Sequence, residues 1–246
     1  MNEESGRSIG TRVEPLRLSI VVPVLNEATV VSDVLGALQP LRERGHEVIV
    51  VDGGSGDGTV DTARPFVDRV LRSPPGRAIQ MNAGARAASG DVLLFLHADT
   101  VPPANADRFI LDGLRRSSRA WGRFDVQLSS GTPKLRLVAF FMNQRSRLTG
   151  VATGDQAIFV CRTTFEQVGG FPALALMEDV ALSVRLKRDS RPLCLRQRVV
   201  TSSRKWEREG IVRTVLLMWR LRLAFFFGAD TASLARRYYG RGGQES

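Results

Sequence analysis

The chain has 246 residues, of which 43% are hydrophobic, 24% charged and 7% aromatic; this is a globular composition, long enough to bury a sizeable core, and it excludes disorder as the main state. Cys161 and Cys194 are the only cysteines, too few for a disulfide scaffold, and both read as reduced, buried thiols. The net charge is +10, and residues 185–246 hold the whole excess with 15 basic and 5 acidic side chains, which suits a solvated basic surface or contact with a polyanion or an anionic membrane face.

Residues 1–16 are polar and read as a flexible tail. MNEESGRSIG lacks the apolar core of a signal peptide, and no uncharged run reaches the roughly 18 residues of a membrane span, so the expected location is the cytoplasm. LSIVVPV (18–24) is rich in β-branched residues, closes on Pro23 and predicts a buried strand. Val30, Val31, Val34, Leu35, Leu38 and Leu41 have helical spacing over 27–44, and Gly45 ends the run. EVIVVD (47–52) predicts a second strand, followed by the turn GGSGDG. A short helix over 59–66, a strand over 67–71, a helix over 77–88 and a strand over 91–99 (DVLLFLHAD) follow.

Further on, strands are expected at 120–128, 155–161 and 191–200. A basic amphipathic helix is expected at 134–148, and others from Glu178 to about Asp189, over 207–227 and over 230–239. The alternation of strand and helix in the first hundred residues predicts an α/β fold, a mostly parallel sheet flanked by helices. Sites in such sheets lie at the carboxyl ends of the strands. Those ends carry Asn26 and Glu27, Asp52 to Asp57, and His97 to Asp99.

The turn GGSGDGT is not a dinucleotide fingerprint, because Thr59 stands where a third glycine is needed, and no P-loop is present. Asp57 and Thr59 suit helix capping instead. Taken in order, SIVVPVLNE, VIVVDGGSGDGT, GRAIQMNAG and LLFLHADT resemble a family 2 glycosyltransferase of the GT-A type. The resemblance runs from about Leu18 to Trp206, and is nearest to the bacterial radical-SAM/selenodomain-associated transferase subgroup. It implies a GT-A (Rossmann-like) domain over 17–206, with a donor half at 17–100 and an acceptor half at 101–206. A basic amphipathic helical extension over 207–246 follows. The implied reaction moves a sugar, with inversion, from a UDP-sugar or GDP-sugar to a hydroxyl or carboxylate acceptor. That acceptor is a small molecule or a lipid; some relatives in the subgroup are described as carotenoid-acid glycosyltransferases.

The same resemblance assigns residues. Pro23, Asn26 and Glu27 match the motif that lines the nucleotide site. Asp52 matches the acidic residue that accepts a hydrogen bond from the base, although Gly53 stands where the family often has a second Asp. Arg77, Gln80, Asn82 and Gly84 match the segment over the base and diphosphate, with Arg77 as the natural oxyanion partner. His97-Ala98-Asp99 occupies the place of the D-x-D signature. Asp99 is the implied ligand of Mg²⁺ or Mn²⁺, which offsets the charge of the leaving diphosphate, and a histidine as second ligand tilts the preference toward Mn²⁺.

Asp179 matches the general base, with Glu178 beside it; the bland alternative is N-terminal helix charge. Gly154, Asp155 and Gln156 match a loop near the acceptor. Arg204 and Lys205 are placed to hold the diphosphate. Trp206 stacks on the acceptor, closes the site or packs in the core.

IVRTVLLMWRLRLAFFFGA is apolar but broken by Arg213, Arg220 and Arg222. It reads as an interfacial segment on the inner face of the membrane, with arginines toward headgroups and Phe225 to Phe227 in the acyl boundary. The alternatives are a helix packed on the catalytic core and a homodimer contact. No nucleic-acid partner is expected. Two other classes stay open. A nucleotidyltransferase acting on a sugar phosphate would carry a Gly-rich basic loop where LNEATV stands. A catalytically idle, membrane-associated binding module is opposed by the presence of Asp52, Asp99 and Asp179.

Overall fold

The computed structural model describes residues 15–240, so most of the expected tail and the last six residues lie outside the described part. The first half runs β1 (Leu18–Val24), α1 (Val31–Ala37), α2 (Gln39–Glu43), β2 (Glu47–Asp52), α3 (Thr59–Ala63), β3 (Arg69–Arg72), α4 (Arg77–Ala87) and β4 (Val92–Phe95). Every residue of β1, β2 and β4 is buried, as expected for parallel strands covered on both faces. The second half runs β5 (Thr100–Val101), α5 (Ala106–Arg116), β6 (Trp121–Leu128), α6 (Pro133–Thr149), β7 (Phe159–Cys161), α7 (Arg162–Gln167), α8 (Glu178–Leu186), β8 (Leu193–Thr201), α9 (Arg204–Glu209), α10 (Ile211–Phe226) and α11 (Thr231–Tyr239).

One sheet holds all eight strands in the order β3-β2-β1-β4-β7-β6-β8-β5. The β1–β2, β1–β4, β2–β3 and β6–β8 pairs are parallel, and the three pairs β4–β7, β6–β7 and β5–β8 are antiparallel. The mostly parallel α/β sheet expected from the sequence is therefore present, with antiparallel joints in its second half. Side chains alternate across it: Ile20, Val22 and Val24 pack under α1 on one face, while Val21 meets Ile49, Met81 and Phe95 on the other. Gly84 lets α4 press onto that second face, since a Cβ there would lie 2.3 Å from Val21 Cγ1; it packs helix on strand.

Several boundaries differ from expectation. The helix over 27–44 is two helices meeting at Leu38, with Pro40 in the first turn of α2, where its missing N–H is harmless. The strand over 91–99 ends at Phe95; Leu96 keeps one bond to β1, its N–H donating to Val21 O at 3.0 Å, and residues 97–99 leave the sheet. The strand over 155–161 is a 3₁₀ turn at Gly154–Gln156 followed by β7. The helix over 207–227 breaks at Gly210, whose φ is 84°. Two helices, α5 and α7, were not expected. Both thiols are half-buried rather than buried.

Candidate active site

The carboxyl ends of β1 and β2 are tied together by their own loops. Asn26 adopts φ 57°, a conformation asparagine tolerates better than most side chains. Its Oδ1 accepts from the Gly56 N–H at 3.0 Å, and its own N–H donates to Ser55 Oγ at 2.9 Å. The Glu27 N–H donates to Thr59 Oγ1 at 2.8 Å, and the Ala28 N–H to Asp57 Oδ2 at 3.0 Å. Asp57 and Thr59 therefore hold the neighbouring loop as well as the start of α3.

Asp52 is fully buried and accepts from the Gly54 and Ser55 N–H groups at 3.2 and 3.0 Å. Gln80, also buried, donates from Nε2 to Val24 O (2.9 Å) and Val51 O (2.8 Å), and accepts from the Gly76 N–H at 3.2 Å. One amide thus fixes the ends of both strands and the entry to α4.

A cleft of about 490 Å³ opens above these ends; Pro23, Asn26, Glu27, Arg77, His97 and Asp99 are among its lining residues. A smaller recess of about 50 Å³ continues from it past Arg77, His97, Gly154, Asp155, Glu178 and Asp179. Arg77 borders both spaces. The far wall comes from the chain's end: Arg204, Lys205, Trp206, Met218 and Tyr238 line the cleft. Those helices are seated by Leu221 and Leu234, which pack on Leu176 and Met177 in the loop before Glu178. The C-terminal segment therefore packs on the catalytic core through one face.

Asp179 opens α8 with both oxygens engaged: Oδ2 accepts from the Gly154 N–H at 2.7 Å and Oδ1 from the Val180 N–H at 2.6 Å. Met177, just before the helix, has φ 68°, a strained conformation for a side chain of its size. Glu178 is 5% exposed; burial and the adjacent Asp179 charge push its carboxyl up to about 7. Burial, then the Arg77 charge, lower His97 to about 4, so its imidazole is neutral near pH 7. His97 Nδ1 lies 3.8 Å from Asp155 Oδ1. Asp155, whose side chain is 39% exposed, has its carboxyl raised above the ordinary range by its partial burial and the Asp179 charge, against the pull of Arg77.

No group of three or more His, Cys, Asp or Glu is placed to hold a metal among the described residues. Asp99 with a neutral His97 still fits a divalent cation that takes most of its ligands from substrate phosphates, the usual arrangement for a hard cation at a nucleotide.

The structure brings most of the residues singled out from sequence into one place. Pro23, Asn26, Glu27, Arg77, Gln80, His97, Asp99, Arg204 and Trp206 line the main cleft, and Gly154, Asp155, Glu178 and Asp179 line its extension or both spaces. Three others serve from behind it and are not among the lining residues. Asp52 closes the glycine turn. Asn82 clamps the Phe171 backbone through both its amide atoms, at 2.8 and 3.0 Å. Gln156 is fully buried and donates to Ser146 Oγ at 3.0 Å.

Arg222 departs from its expected role. It faces the recess with Tyr238 and Asp179 rather than pointing outward with Arg213 and Arg220. Arg145 gives no signal in the sequence, because an arginine in a basic helix reads as solvated.

Residues 19–166 match the family model described as Glycosyl transferase family 2. Among curated proteins, the chain is similar to the probable glycosyltransferase YdaM of Bacillus subtilis, at 28% identity over 231 residues, 84% of this chain and 53% of that protein. The chain spans about half the length of two curated relatives, YdaM and the poly-beta-1,6-N-acetyl-D-glucosamine synthase of Staphylococcus aureus. Among solved structures it is similar in fold to mannosyltransferase PcManGT of Pyrobaculum calidifontis in complex with GDP-Man and Mn²⁺, with TM-score 0.61 and 20% identity, over 95% of this chain and 67% of that one. S. aureus TarS 1-349 in complex with UDP-GlcNAc is similar too, with TM-score 0.62 and 17% identity, over 76% of this chain and 58% of that one.

Proposed function

Because the chain belongs to glycosyl transferase family 2, we propose that it moves a sugar from a nucleotide-diphosphate donor to an acceptor hydroxyl or carboxylate with inversion at the anomeric carbon. The observation that carries this reading is the convergence of Arg77, His97, Asp155, Glu178 and Asp179 around one recess that opens into the cleft over β1 and β2. The nucleotide lies over Pro23, Asn26 and Glu27, with the 17–100 half as donor side and the 101–206 half as acceptor side. Arg77 holds the diphosphate by its planar fork, assisted by Arg204 and Lys205. Asp52 and Gln80 keep the strand ends in register for it.

Asp99 and His97 would hold a Mg²⁺ or Mn²⁺ ion together with the phosphates, and that ion supplies charge neutralisation for the leaving group. An acceptor hydroxyl gives its proton to Asp179 as its oxygen bonds to the anomeric carbon. The carbon–oxygen bond to the diphosphate breaks in the same step, and the nucleoside diphosphate leaves. Glu178, whose buried carboxyl titrates at about 7, puts less negative charge beside the base near neutral pH than an ordinary carboxylate would. The likeness to the radical-SAM/selenodomain-associated subgroup belongs to this proposal.

We further read the chain as a cytoplasmic, peripheral protein of the membrane face. No helix among the described residues is long and apolar enough to cross a membrane. The outward side of α10 nevertheless exposes Val212, Leu216, Trp219, Leu223 and Phe226 at helical spacing, next to the exposed Arg213 and Arg220, the make-up of an interfacial helix.

Thermal melting of the chain against UDP-sugars and GDP-sugars, with and without Mn²⁺, tests the main reading. One nucleotide class is expected to raise the melting temperature only when the cation is present. No shift with any donor under either condition would overturn it.

A further inference from the structure

Two arginines in this region have no visible work. Arg145 lies on α6, one residue from Ser146, whose hydroxyl accepts from Gln156 of the acceptor loop. Arg222 enters from α10, where its neighbour Leu221 is anchored on Leu176 and Met177, and it lines the recess beside Asp179. Nε and Nη2 of Arg145 and Nε of Arg222 are buried with no hydrogen-bond partner among the described residues. Buried guanidinium nitrogens normally have partners, and an orphan group asks for an ion or ligand.

The charges of Asp179 and Asp155 favour both guanidinium groups, yet neither carboxylate forms a salt bridge or hydrogen bond with them among the described residues. Asp179 instead accepts two backbone N–H groups. The two cations also repel each other: burial, then the Arg222 charge, pull Arg145 down to about 10. Arg222 is lowered by burial too. An unpaired buried charge is strongly unfavourable, and a planar fork suits a bidentate oxyanion.

We propose that Arg222, which lines the acceptor end of the recess, and Arg145, which is not itself among the lining residues, form an oxyanion cradle, so that the acceptor carries a carboxylate or phosphate apart from the group that attacks the sugar. This rests on the glycosyl-transfer reading, because it makes the cradle an anchor that holds the attacking group at Asp179. The nucleotide diphosphate belongs to the other end, at Arg77 and Asp99. Arg222 thereby makes the C-terminal helices part of the acceptor site.

The test is calorimetric titration of the full chain with inorganic phosphate at fixed ionic strength, with the site first saturated by UDP or GDP and Mg²⁺. Wild type is expected to bind phosphate alongside the nucleotide. Arg145→Gln and Arg222→Gln should each weaken phosphate at least tenfold while nucleotide affinity changes less than threefold. In anion-free buffer both should melt close to wild type, since each change removes a buried charge together with its attraction to Asp155 and Asp179; a variant that loses a merely structural arginine would melt well below it. Arg145→Lys and Arg222→Lys keep the charge without the fork and should weaken phosphate at least threefold, which serves if a Gln variant fails to fold.

Acetate in place of phosphate separates the sources: binding of both assigns a site open to carboxylates, and binding of phosphate alone assigns a phosphate ester. Phosphate affinity equal in wild type and variants, or no phosphate bound beside the nucleotide, overturns the cradle. If no nucleotide binds but phosphate does, and the variants lose it, the cradle stands and the glycosyl-transfer reading falls.

Discussion

Gly154 touches His97 so closely that a Cβ built on it would lie 2.3 Å from His97 Nε2. The same glycine donates its N–H to Asp179 Oδ2 at 2.7 Å. A residue with no side chain therefore joins the HAD turn after β4 to the first turn of α8, and sets how near the implied cation site stands to the implied base.

Gly154→Ala is expected to push the imidazole aside or lift the loop from it. Overpacking of this kind costs about 1–3 kcal/mol. The variant should melt lower than wild type, and cation-dependent nucleotide binding should weaken with it. Wild-type melting and wild-type nucleotide affinity together would show that His97 moves freely, and would remove it from the cation site.

Glu178 makes stability depend on pH. Its folded carboxyl titrates at about 7 against an ordinary value of 4.5, so the folded state holds the proton more tightly than the unfolded chain. The contribution is fully present below about pH 4.5 and is lost as pH rises through about 7. Glu178→Gln, which mimics the protonated form, should match wild type near pH 5 and exceed it at pH 8, by on the order of 2 kcal/mol. Melting curves at the two pH values read this directly. A variant less stable than wild type at pH 8 would mean that the ionised form is the native one.

Much of this architecture was legible because strand chemistry is local. β1, β2 and β4 are apolar runs whose burial on both faces leaves no other solution, and their polar ends mark the site. Helix α5 was legible and went unread: Ala106, Ile110 and Leu114 repeat every four residues and are all buried, and the mostly polar positions between them are what an amphipathic surface helix carries. α7, six residues long, carries no period to read. That the motif residues would gather at the strand ends was legible, but what each polar atom does there was not. Asp52, Asn82 and Gln156 have the same residue types whether they touch a ligand or brace a loop, and only the partners of their polar atoms decide. Arg222 shows the same limit from the other side: Arg213, Arg220 and Arg222 look alike in sequence, and the docking of Leu221 turns one of them inward.

The outward stripe of α10 should bind vesicles containing anionic lipid, and less so as salt rises, since charges are screened over ~8 Å near physiological ionic strength. Trp219 and Phe226 are 72% and 82% exposed, and inserting such side chains contributes about 1.5–3 kcal/mol each. Trp219→Glu with Phe226→Glu should therefore lower vesicle binding at least tenfold in a flotation assay, with nucleotide affinity unchanged. Binding equal to wild type, or wild-type binding that is the same on neutral vesicles, would remove the membrane reading.

Asp179→Asn separates chemistry from binding. The asparagine keeps the shape but cannot take a proton, and general-base assistance is typically worth about 10²–10⁴-fold. It also disturbs one bond. Asp179 accepts two backbone N–H groups, one on each oxygen, whereas an amide offers only one oxygen and sets its NH₂ against the second donor. A loss of about 1–3 kcal/mol in stability is expected from that mismatch, so melting must be measured beside activity. Donor affinity should survive, because Arg77 and Asp99 belong to other elements. Turnover, followed by mass spectrometry of the glycosylated product, should fall at least a hundredfold at saturating donor and at a temperature where the variant is folded. Asp155→Asn serves as the comparison: its carboxyl borders the same recess and is raised above the ordinary carboxylate range, the direction a general base near neutral pH needs. A folded Asp179→Asn enzyme with near-normal turnover, beside an inactive Asp155→Asn enzyme, would move the base from α8 to the acceptor loop.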